Sequence, residues 1–417
     1  MYKRQELIKE IREKFCHVEE CPYSGKRIFF ENAGGSLTLK SVVDRSSLMA
    51  SIPDNQGRDN LASSSIMDII SKSKLKTLDF FNTKSGSILI GESGTELLFR
   101  LIRTAILSSG KGSIVGSTLE HPASRSATAK WSKIASKELI MVPHCNDTGT
   151  VDIDKYLDHI NSNVAVATIV HTSPVTGIGV DIKNLTNGIK DKNPDCLVIV
   201  DGIQHPAHRD INISDYKIDG YVISPYKVFS RHGYGLAWMS DRLRNLPHEN
   251  LLKGPEENWD LGTRDVGSYA TFSDVIDYFE WLGSKFSKIE NTRHEKFLNA
   301  SRFIHKQENH LVDIMLFGKD NIKGLSSYPN IEIIGGVENK LREGLVSFSL
   351  HDLPSEIIVK ELNNKGVRTH IRKSDHYSGN ILDPLGLKNC VRVSMCHYNT
   401  EEEVLQFLTG INEIIHH

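Results

Sequence analysis

Two segments of this sequence consist almost entirely of apolar and β-branched residues, VAVATIV at Val164–Val170 and LVIV at Leu197–Val200. A strand with one solvated face alternates in polarity, so unbroken runs are typical of strands that helices cover on both faces. Similar short runs at Ser87–Ile90, Ser113–Val115 and Tyr221–Ile223 alternate with helical patterns. The first two thirds of the chain therefore predict an α/β fold with a mainly parallel sheet.

The pattern changes near Glu280, where the charged stretch from Lys285 to Gln307 predicts one long helix. Further strands and a helix are predicted at Ile331–Ile334, Leu345–Ser349, Ser355–Asn364 and Val391–Ser394. Thr400 and Glu403 have the spacing of a capping box and predict the start of a last helix. The domains predicted are an N-terminal helical arm (1–25), a large domain (26–285) and a smaller C-terminal α+β domain (286–417).

The composition argues against several classes of function. The 417 residues are 39% hydrophobic and 24% charged with a formal net charge of −2, so no basic surplus points to nucleic acid. The amphipathic start lacks the apolar core of a signal peptide, and no segment has the length of a membrane span. Six cysteines occur without CxxC spacing, so we predict no metal site. We expect a cytoplasmic protein that binds neither nucleic acid nor membrane.

Polar residues follow two of the apolar strands at the point where each strand ends. Asp201 ends LVIV, with Gln204 close behind, and Ser224, Tyr226 and Lys227 follow the next strand. Ligands of open parallel sheets bind at the carboxyl ends of the strands, so Asp201 and Lys227 are expected to converge. Pyridoxal phosphate (PLP) needs such a pair, because a lysine forms its Schiff base and a carboxylate keeps its ring nitrogen protonated.

Two further segments fit the same cofactor. Ser93, Gly94 and Thr95 open a helix predicted at Thr95–Leu107, and free N–H groups at a helix N-terminus bind phosphate. His121 lies at another strand end, where an imidazole can stack on a cofactor ring. Each feature alone is more often structural, as an N-cap turn or a packed histidine. Their combination favours a cofactor site.

A resemblance to a known family supports this interpretation. The segments that carry it are, in order, FFENAGGS, SGTE, EHPAS, SPVTGIGVDI, DGIQH, SPYK, LGT and VRVSMCHYNTEEEV. They resemble the PLP-dependent class V aminotransferases, within them the cysteine-desulfurase-like branch, over nearly the whole chain. The resemblance implies the type I fold of PLP-dependent transferases, with a large domain around a mainly parallel, seven-stranded-type sheet and a small C-terminal α+β domain. It also implies a homodimer with shared active sites.

The resemblance implies a role for each matching residue around the cofactor. Lys227 would carry PLP, Asp201 would pair with the ring nitrogen, Gln204 would donate to the phenolic oxygen and His121 would stack on the ring. The implied phosphate contacts are Gly94, Thr95, Ser224, Tyr226 and, from a neighbouring subunit, Thr263.

On the substrate side, the resemblance implies that Arg392 binds the α-carboxylate of an amino acid, a task suited to a bidentate guanidinium. Asn32 of FFENAGGS is also expected to contact substrate. Two departures stand out. Desulfurases carry a nucleophilic cysteine in the loop before this arginine, whereas counting back from Arg392 gives Tyr377, after His376, and a phenol does not accept sulfur as a thiolate does. Pro174 replaces an asparagine that is common in relatives.

These observations predict an enzyme that acts on a cysteine-like amino acid or S-conjugate by C–S or similar β-elimination. Lys227 would move the α-proton, and His376 or Tyr377 would assist the leaving group. Transamination, with the same lysine and arginine, is the alternative, and racemisation or decarboxylation stays open. A further alternative is a PLP-fold protein that binds without turnover, which the joint presence of Lys227, Asp201, His121 and Arg392 disfavours.

Overall fold

The computed structural model describes residues 2–288 and 291–416. Residue 1 of the predicted arm and residues 289, 290 and 417 of the predicted small domain lie outside the described residues. The helices in chain order are α1 (Tyr2–Glu13), α2 (Lys40–Ala50), α3 (Leu61–Phe80), α4 (Gly94–Ser108), α5 (Pro122–Ile134), α6 (Ile153–Asp158), α7 (Ile182–Lys192), α8 (Asp241–Arg244), α9 (Val266–Ser284), α10 (Arg293–Phe317), α11 (Ser355–Asn364), α12 (Gly379–Leu382) and α13 (Glu401–His416). Among these described helices, none combines the length and the apolar character that crossing a membrane requires.

A mixed sheet of seven strands forms the centre of the larger part of the chain. Its strands are β1 (Ser87–Gly91), β2 (Ser113–Ser117), β3 (Leu139–Val142), β4 (Val164–Val170), β5 (Leu197–Asp201), β6 (Gly220–Ile223) and β7 (Gly235–Met239). They lie in the order β1-β7-β6-β5-β4-β2-β3, and only the pairs that β7 makes with β1 and β6 are antiparallel. The prediction of a mainly parallel sheet is confirmed, although the sequence did not predict β3 and β7.

Alternate residues of β5 pack into different cores, which explains why this strand has no polar face. Leu197 and Ile199 join a cluster with Leu101 of α4. Val198 and Val200 belong to the cluster on the opposite face of the sheet. Because helices cover both faces, polar side chains of the strands reach open space only at the strand ends.

A second, antiparallel sheet follows in the chain. Its strands are β8 (Ile331–Ile333), β9 (Leu345–Leu350), β10 (His370–Lys373) and β11 (Asn389–Ser394), in the order β8-β9-β11-β10. Leu311 of α10, Ile358 of α11 and Val404 of α13 pack in its core. The bounds of α11 are those predicted, and the predicted capping box forms, with Glu403 N donating to Thr400 Oγ1 over 3.2 Å.

Residues 28–30 pair and pack with the part of the molecule that is built around the second sheet. Ile28–Phe29 pairs in parallel with Val367–Arg368, and the fully buried Phe30 lies in the core of the second sheet. The chain then reaches the large sheet, where Ser36 N donates to Tyr226 O over 3.1 Å. Other two-residue strands form the pairs Glu20–Cys21 with Gly25–Lys26 and Gly318–Lys319 with Ile322–Lys323. The limits of the three predicted domains stay a prediction.

The single helix predicted from Lys285 to Gln307 is wrong at its start. Helix α9 ends at Ser284, and α10 begins only at Arg293. Thr292 Oγ1 accepts from Glu295 N over 3.2 Å, and Glu295 Oε2 accepts from Thr292 N over 2.7 Å. This capping box fixes the start of α10, and its Thr-x-x-Glu spacing was present in the sequence.

Candidate active site

Lys227 lies at the carboxyl edge of the large sheet, as the sequence predicted. It ends a 3₁₀ turn that follows β6, and its backbone N donates to Ser224 O over 2.9 Å. Burial and the nearby guanidinium of Arg392 lower the pKa of Lys227 to about 7, against an opposing effect of Asp201. Much of this amine is therefore neutral at neutral pH, as a nucleophile or a base must be.

Asp201 ends β5, the strand beside β6, and is 3% exposed. Its Oδ1 accepts a hydrogen bond from Ile203 N over 3.0 Å. Burial raises the pKa of this carboxyl group to about 6, although the Ile203 N–H and Lys227 act to lower it. A buried carboxylate gains from a cationic partner, and a protonated pyridine nitrogen is such a partner.

The first turn of α4 forms a concave surface beside these two residues. Ser93 caps the helix, its Oγ accepting from Glu96 N over 3.1 Å, and Gly94 is the first helical residue. A Cβ at Gly94 would crowd Ser224 Oγ and lie 2.8 Å from Ile203 Cδ1. Glycine therefore lets Ser224 Oγ approach the N-terminus of this helix, where N–H groups favour anions. The surface therefore fits a phosphate group.

His121 caps α5 with its side chain. Its Nδ1 accepts from Ala123 N over 3.1 Å, which assigns the proton of the neutral ring to Nε2. Burial and the cations Lys227 and Arg372 lower the pKa of His121 to about 3. The ring is therefore neutral in the physiological range, and a neutral ring at this edge suits stacking on a cofactor.

Two adjoining openings connect these groups. An outer cavity of about 460 Å³ and an inner cleft share His121, Pro174, Tyr226 and Lys227. The inner cleft is also lined by the predicted cofactor contacts Thr95, Asp201, Gln204 and Ser224. The outer cavity is lined by the predicted substrate-side residues Arg392 and Tyr377. Lys227 thus lines both the cleft formed by the predicted cofactor contacts and the larger cavity formed by the predicted substrate-side residues.

Gln204 and Tyr226 both line the inner cleft, and each of them has one further contact that holds its side chain. Gln204 Nε2 donates to Ala33 O over 2.9 Å. Tyr226 stacks on His232, with ring centroids 4.2 Å apart and planes 19° from parallel. The tyrosine therefore presents a braced aromatic surface to the cleft.

Arg392, on β11, is 3% exposed, and it forms one wall of the outer cavity. Its Nη1 donates to Pro174 O over 2.9 Å, whereas its buried Nε has no hydrogen-bond partner among the described residues. Burial and the nearby Arg372 lower the pKa of Arg392 to about 9. A buried guanidinium with spare donors is suited to bind a carboxylate. Pro174, the departure noted in the sequence, supplies a carbonyl that orients this arginine.

Three predicted site residues do not meet the others at the cavity. Asn32 is held by structural partners, since its Nδ2 donates to Ser394 O over 2.8 Å and its Oδ1 accepts from Tyr398 Oη. Thr263 is exposed, beside Arg264, which pairs with Glu92. Neither residue lines the cavity within this chain. A substrate contact of Asn32 therefore gains no support from the geometry, and Thr263 would need a second subunit.

His376 is the third of these residues. It is exposed, and its ring centroid lies 4.1 Å from that of Tyr377. Tyr377 does line the outer cavity, although it is 48% exposed, and its ring centroid lies 6.4 Å from that of His121. Of the two, Tyr377 is therefore the side chain placed to meet a substrate.

The sequence reasoning missed a group of charged residues on the cavity wall. They are Glu31, Arg368, His370 and Arg372. Three of them lie on or next to β10, in the stretch RTHIRK, where basic residues alternate with Thr369 and Ile371. That alternation is the signal of a strand with one polar face and could have identified them.

Comparison with known proteins identifies the family. A model described as aminotransferase class-V matches residues 28–407. The chain belongs to the class-V aminotransferase family. Enzymes of this family depend on PLP, and PLP is accordingly the cofactor of this chain. The residues around the inner cleft fit that group, as the close approach of Ser224 to the helix N-terminus at Gly94 and the buried Asp201 indicate.

Relatives of this class-V chain include several desulfurases. It is 25% identical to a cysteine desulfurase-like protein, ustD, of Aspergillus flavus, over 94% of this chain and 88% of the relative. It is also 25% identical to a cysteine desulfurase of Wigglesworthia glossinidia brevipalpis, over 98% and 97% of the two chains. The apo structure of a cysteine desulfurase from Thermococcus onnurineus superposes with a TM-score of 0.81 at 20% identity, covering 98% of both chains. That likeness establishes the fold.

Proposed function

We propose that this class-V enzyme is a PLP-dependent lyase that cleaves the C–S or a similar β-bond of a cysteine-like amino acid or S-conjugate. The observation that carries the proposal is the joint placement of Lys227, Arg392 and Tyr377 around one cavity. A β-elimination uses a base for the α-proton, a cation that binds the α-carboxylate and an acid for the leaving group, and an amine, a guanidinium and a phenol can serve in these roles.

Each of these side chains has a defined task. Arg392 binds the α-carboxylate and thereby fixes which substituents of the α-carbon face Lys227. Lys227, with its pKa lowered to about 7, takes the α-proton at Nζ. Tyr377 donates its phenolic proton to the departing sulfur, and His376 beside it is in position to renew that proton.

The remaining residues would hold the cofactor. Gly94, Thr95 and Ser224 are the proposed phosphate contacts, His121 the stacking ring, and Gln204 and Tyr226 further contacts. When bound, PLP supplies an electron sink that stabilises negative charge at the α-carbon. Asp201 keeps the ring nitrogen protonated and so maintains that property.

We further propose a cytoplasmic homodimer. The support for a dimer is Thr263, which is exposed and distant from this chain's own cavity lining although the family resemblance assigns it to a phosphate site. In the dimer Thr263 would complete the site of the neighbouring subunit.

Product analysis with the PLP-loaded protein tests the proposal. S-substituted L-cysteines should yield pyruvate, ammonia and the free thiol in equal amounts, without any keto acid being added. Turnover that requires a keto-acid acceptor and transfers the amino group to it would instead identify a transaminase. That alternative is favoured by the exposure of Tyr377, since transamination needs no leaving-group acid. Protein that stays colourless with added PLP would make the chain a binding protein.

A further inference from the structure

The outer cavity carries more positive charge than one α-carboxylate would neutralise. Four of its lining residues have basic side chains, namely the partly neutral Lys227 and the arginines Arg368, Arg372 and Arg392. The carboxylate among its lining residues is that of Glu31.

Glu31 is already engaged with two basic neighbours. Its Oε2 pairs with Arg368 Nε, and its Oε1 lies 3.3 Å from His370 Nδ1. The side chains of Arg368 and His370 lower the pKa of Glu31 despite its burial, so the carboxylate is ionised at neutral pH. Glu31 therefore neutralises its own pair of partners and not the remaining arginines.

The direct contacts of Arg372 are with a hydroxyl group and an aromatic ring. Its Nε donates to Ser378 Oγ over 2.7 Å, and its Cζ lies 6.0 Å from the ring centroid of Tyr377. Within residues 2–288 and 291–416, no carboxylate forms an ion pair with it. Burial lowers the pKa of Arg372, although the nearby Asp375, whose Oδ1 accepts from the backbone N of Tyr377 and of Ser378, acts to raise it. A partly buried cation of this kind gains from an anion that the ligand supplies.

The register of the second sheet fixes the distance between the two free arginines. Arg372 of β10 pairs with Cys390 of β11, two residues from Arg392. Both arginines therefore lie on the same face of the sheet, as diagonal neighbours whose backbones are roughly 7–8 Å apart. Such a spacing suits two anionic groups on one short molecule.

We propose that the substrate is an α-amino acid whose side chain ends in an anionic group, a carboxylate, sulfinate or sulfonate, which Arg372 binds. The inference rests on the proposed function in that Arg392 takes the α-carboxylate. The charges in the cavity then balance, because Arg372 and Arg392 each meet one anionic group of the substrate. Lys227 would carry the cofactor and would need no further anion. Neutral side chains would leave Arg372 buried and unpaired.

Matched pairs of probes test the proposal by binding alone. With PLP-loaded protein, calorimetric titration compares S-(carboxymethyl)-L-cysteine with S-(carbamoylmethyl)-L-cysteine, which differ in the charge of one group. The acid should bind about tenfold more tightly or better, the effect of one charge-assisted contact. L-Aspartate and L-asparagine form a second pair with the same expected order.

Variants assign the preference to its residue. Arg372→Gln should abolish the preference for the acid, Arg372→Lys should retain part of it, and Lys373→Gln, an exposed neighbour on the same strand, should leave it unchanged. Equal binding of acid and amide by the wild type, binding of neither, or a preference that survives in Arg372→Gln would each overturn the inference. Failure of the proposed function is a separate result, because it would appear as acid-selective binding without thiol or pyruvate release.

Discussion

The two walls of the cavity differ in how their polar groups are held and charged. The wall from the large sheet carries Lys227 and Asp201 at strand ends, where burial moves the pKa values of both toward neutrality, to about 7 and about 6. The wall from the second sheet carries Arg372 on β10 and Arg392 on β11. The exposed Tyr377 lies in the segment of chain that connects these two strands. The amine and the carboxyl group beside the inner cleft thus lie on one side, and the two arginines lie on the other, together with the phenol of Tyr377.

The largest expected effect tests whether proton transfer belongs to the large-sheet wall. Lys227→Ala should lower turnover by about 10³-fold or more, the contribution of a positioned acid–base group together with covalent capture of PLP. The protein should also lose the visible absorbance of lysine-bound cofactor. Lys133→Ala, an exposed lysine on α5, is the matched control and should behave as wild type. Normal turnover in Lys227→Ala would mean that the chemistry resides elsewhere.

A smaller effect is expected at Asp201. Asp201→Asn keeps an oxygen that accepts from Ile203 N but removes the charge that faces the ring nitrogen. Turnover should fall about 100-fold, the rate equivalent of a charge-assisted hydrogen bond worth about 3 kcal/mol. PLP should remain bound through Lys227, so the protein should stay coloured. A coloured variant with unchanged turnover would remove Asp201 from the mechanism.

The smallest effect concerns how charged residues on both walls change the pKa of Lys227. The rate at which cofactor-free protein captures PLP should rise with pH and level off above about 7, because the amine of Lys227 reacts in its neutral form, which predominates above its pKa. Arg392→Met removes a cation that lowers this pKa and should move the midpoint upward. Asp201→Asn removes an anion that raises it and should move the midpoint downward. Stopped-flow absorbance measures all three midpoints, and unchanged values would show that the walls are electrostatically independent.

The large-sheet wall was predictable from local sequence patterns, whereas on the other wall Arg392 followed only from the family resemblance and Arg372 was missed. Strands buried on both faces have unbroken apolar sequences, so the ends of β5 and β6 and the residues Asp201 and Lys227 could be read directly. β10 is a four-residue edge strand whose partners depend on register, and short alternating runs give weak signals. The contacts of Asn32 with Ser394 and Tyr398 join residues more than 350 positions apart, which no local pattern encodes.

The pairing of Ile28–Phe29 with Val367–Arg368 has a consequence for how the molecule is made. The core of the second sheet includes Phe30, so it is incomplete until residues beyond position 310 meet a segment that precedes them by about 280 residues or more. Contacts of such sequence separation form late and slowly. A C-terminal fragment expressed alone would expose an unpaired edge and an empty position in its core. The substrate-facing half of the cavity therefore matures last and only in the intact polypeptide.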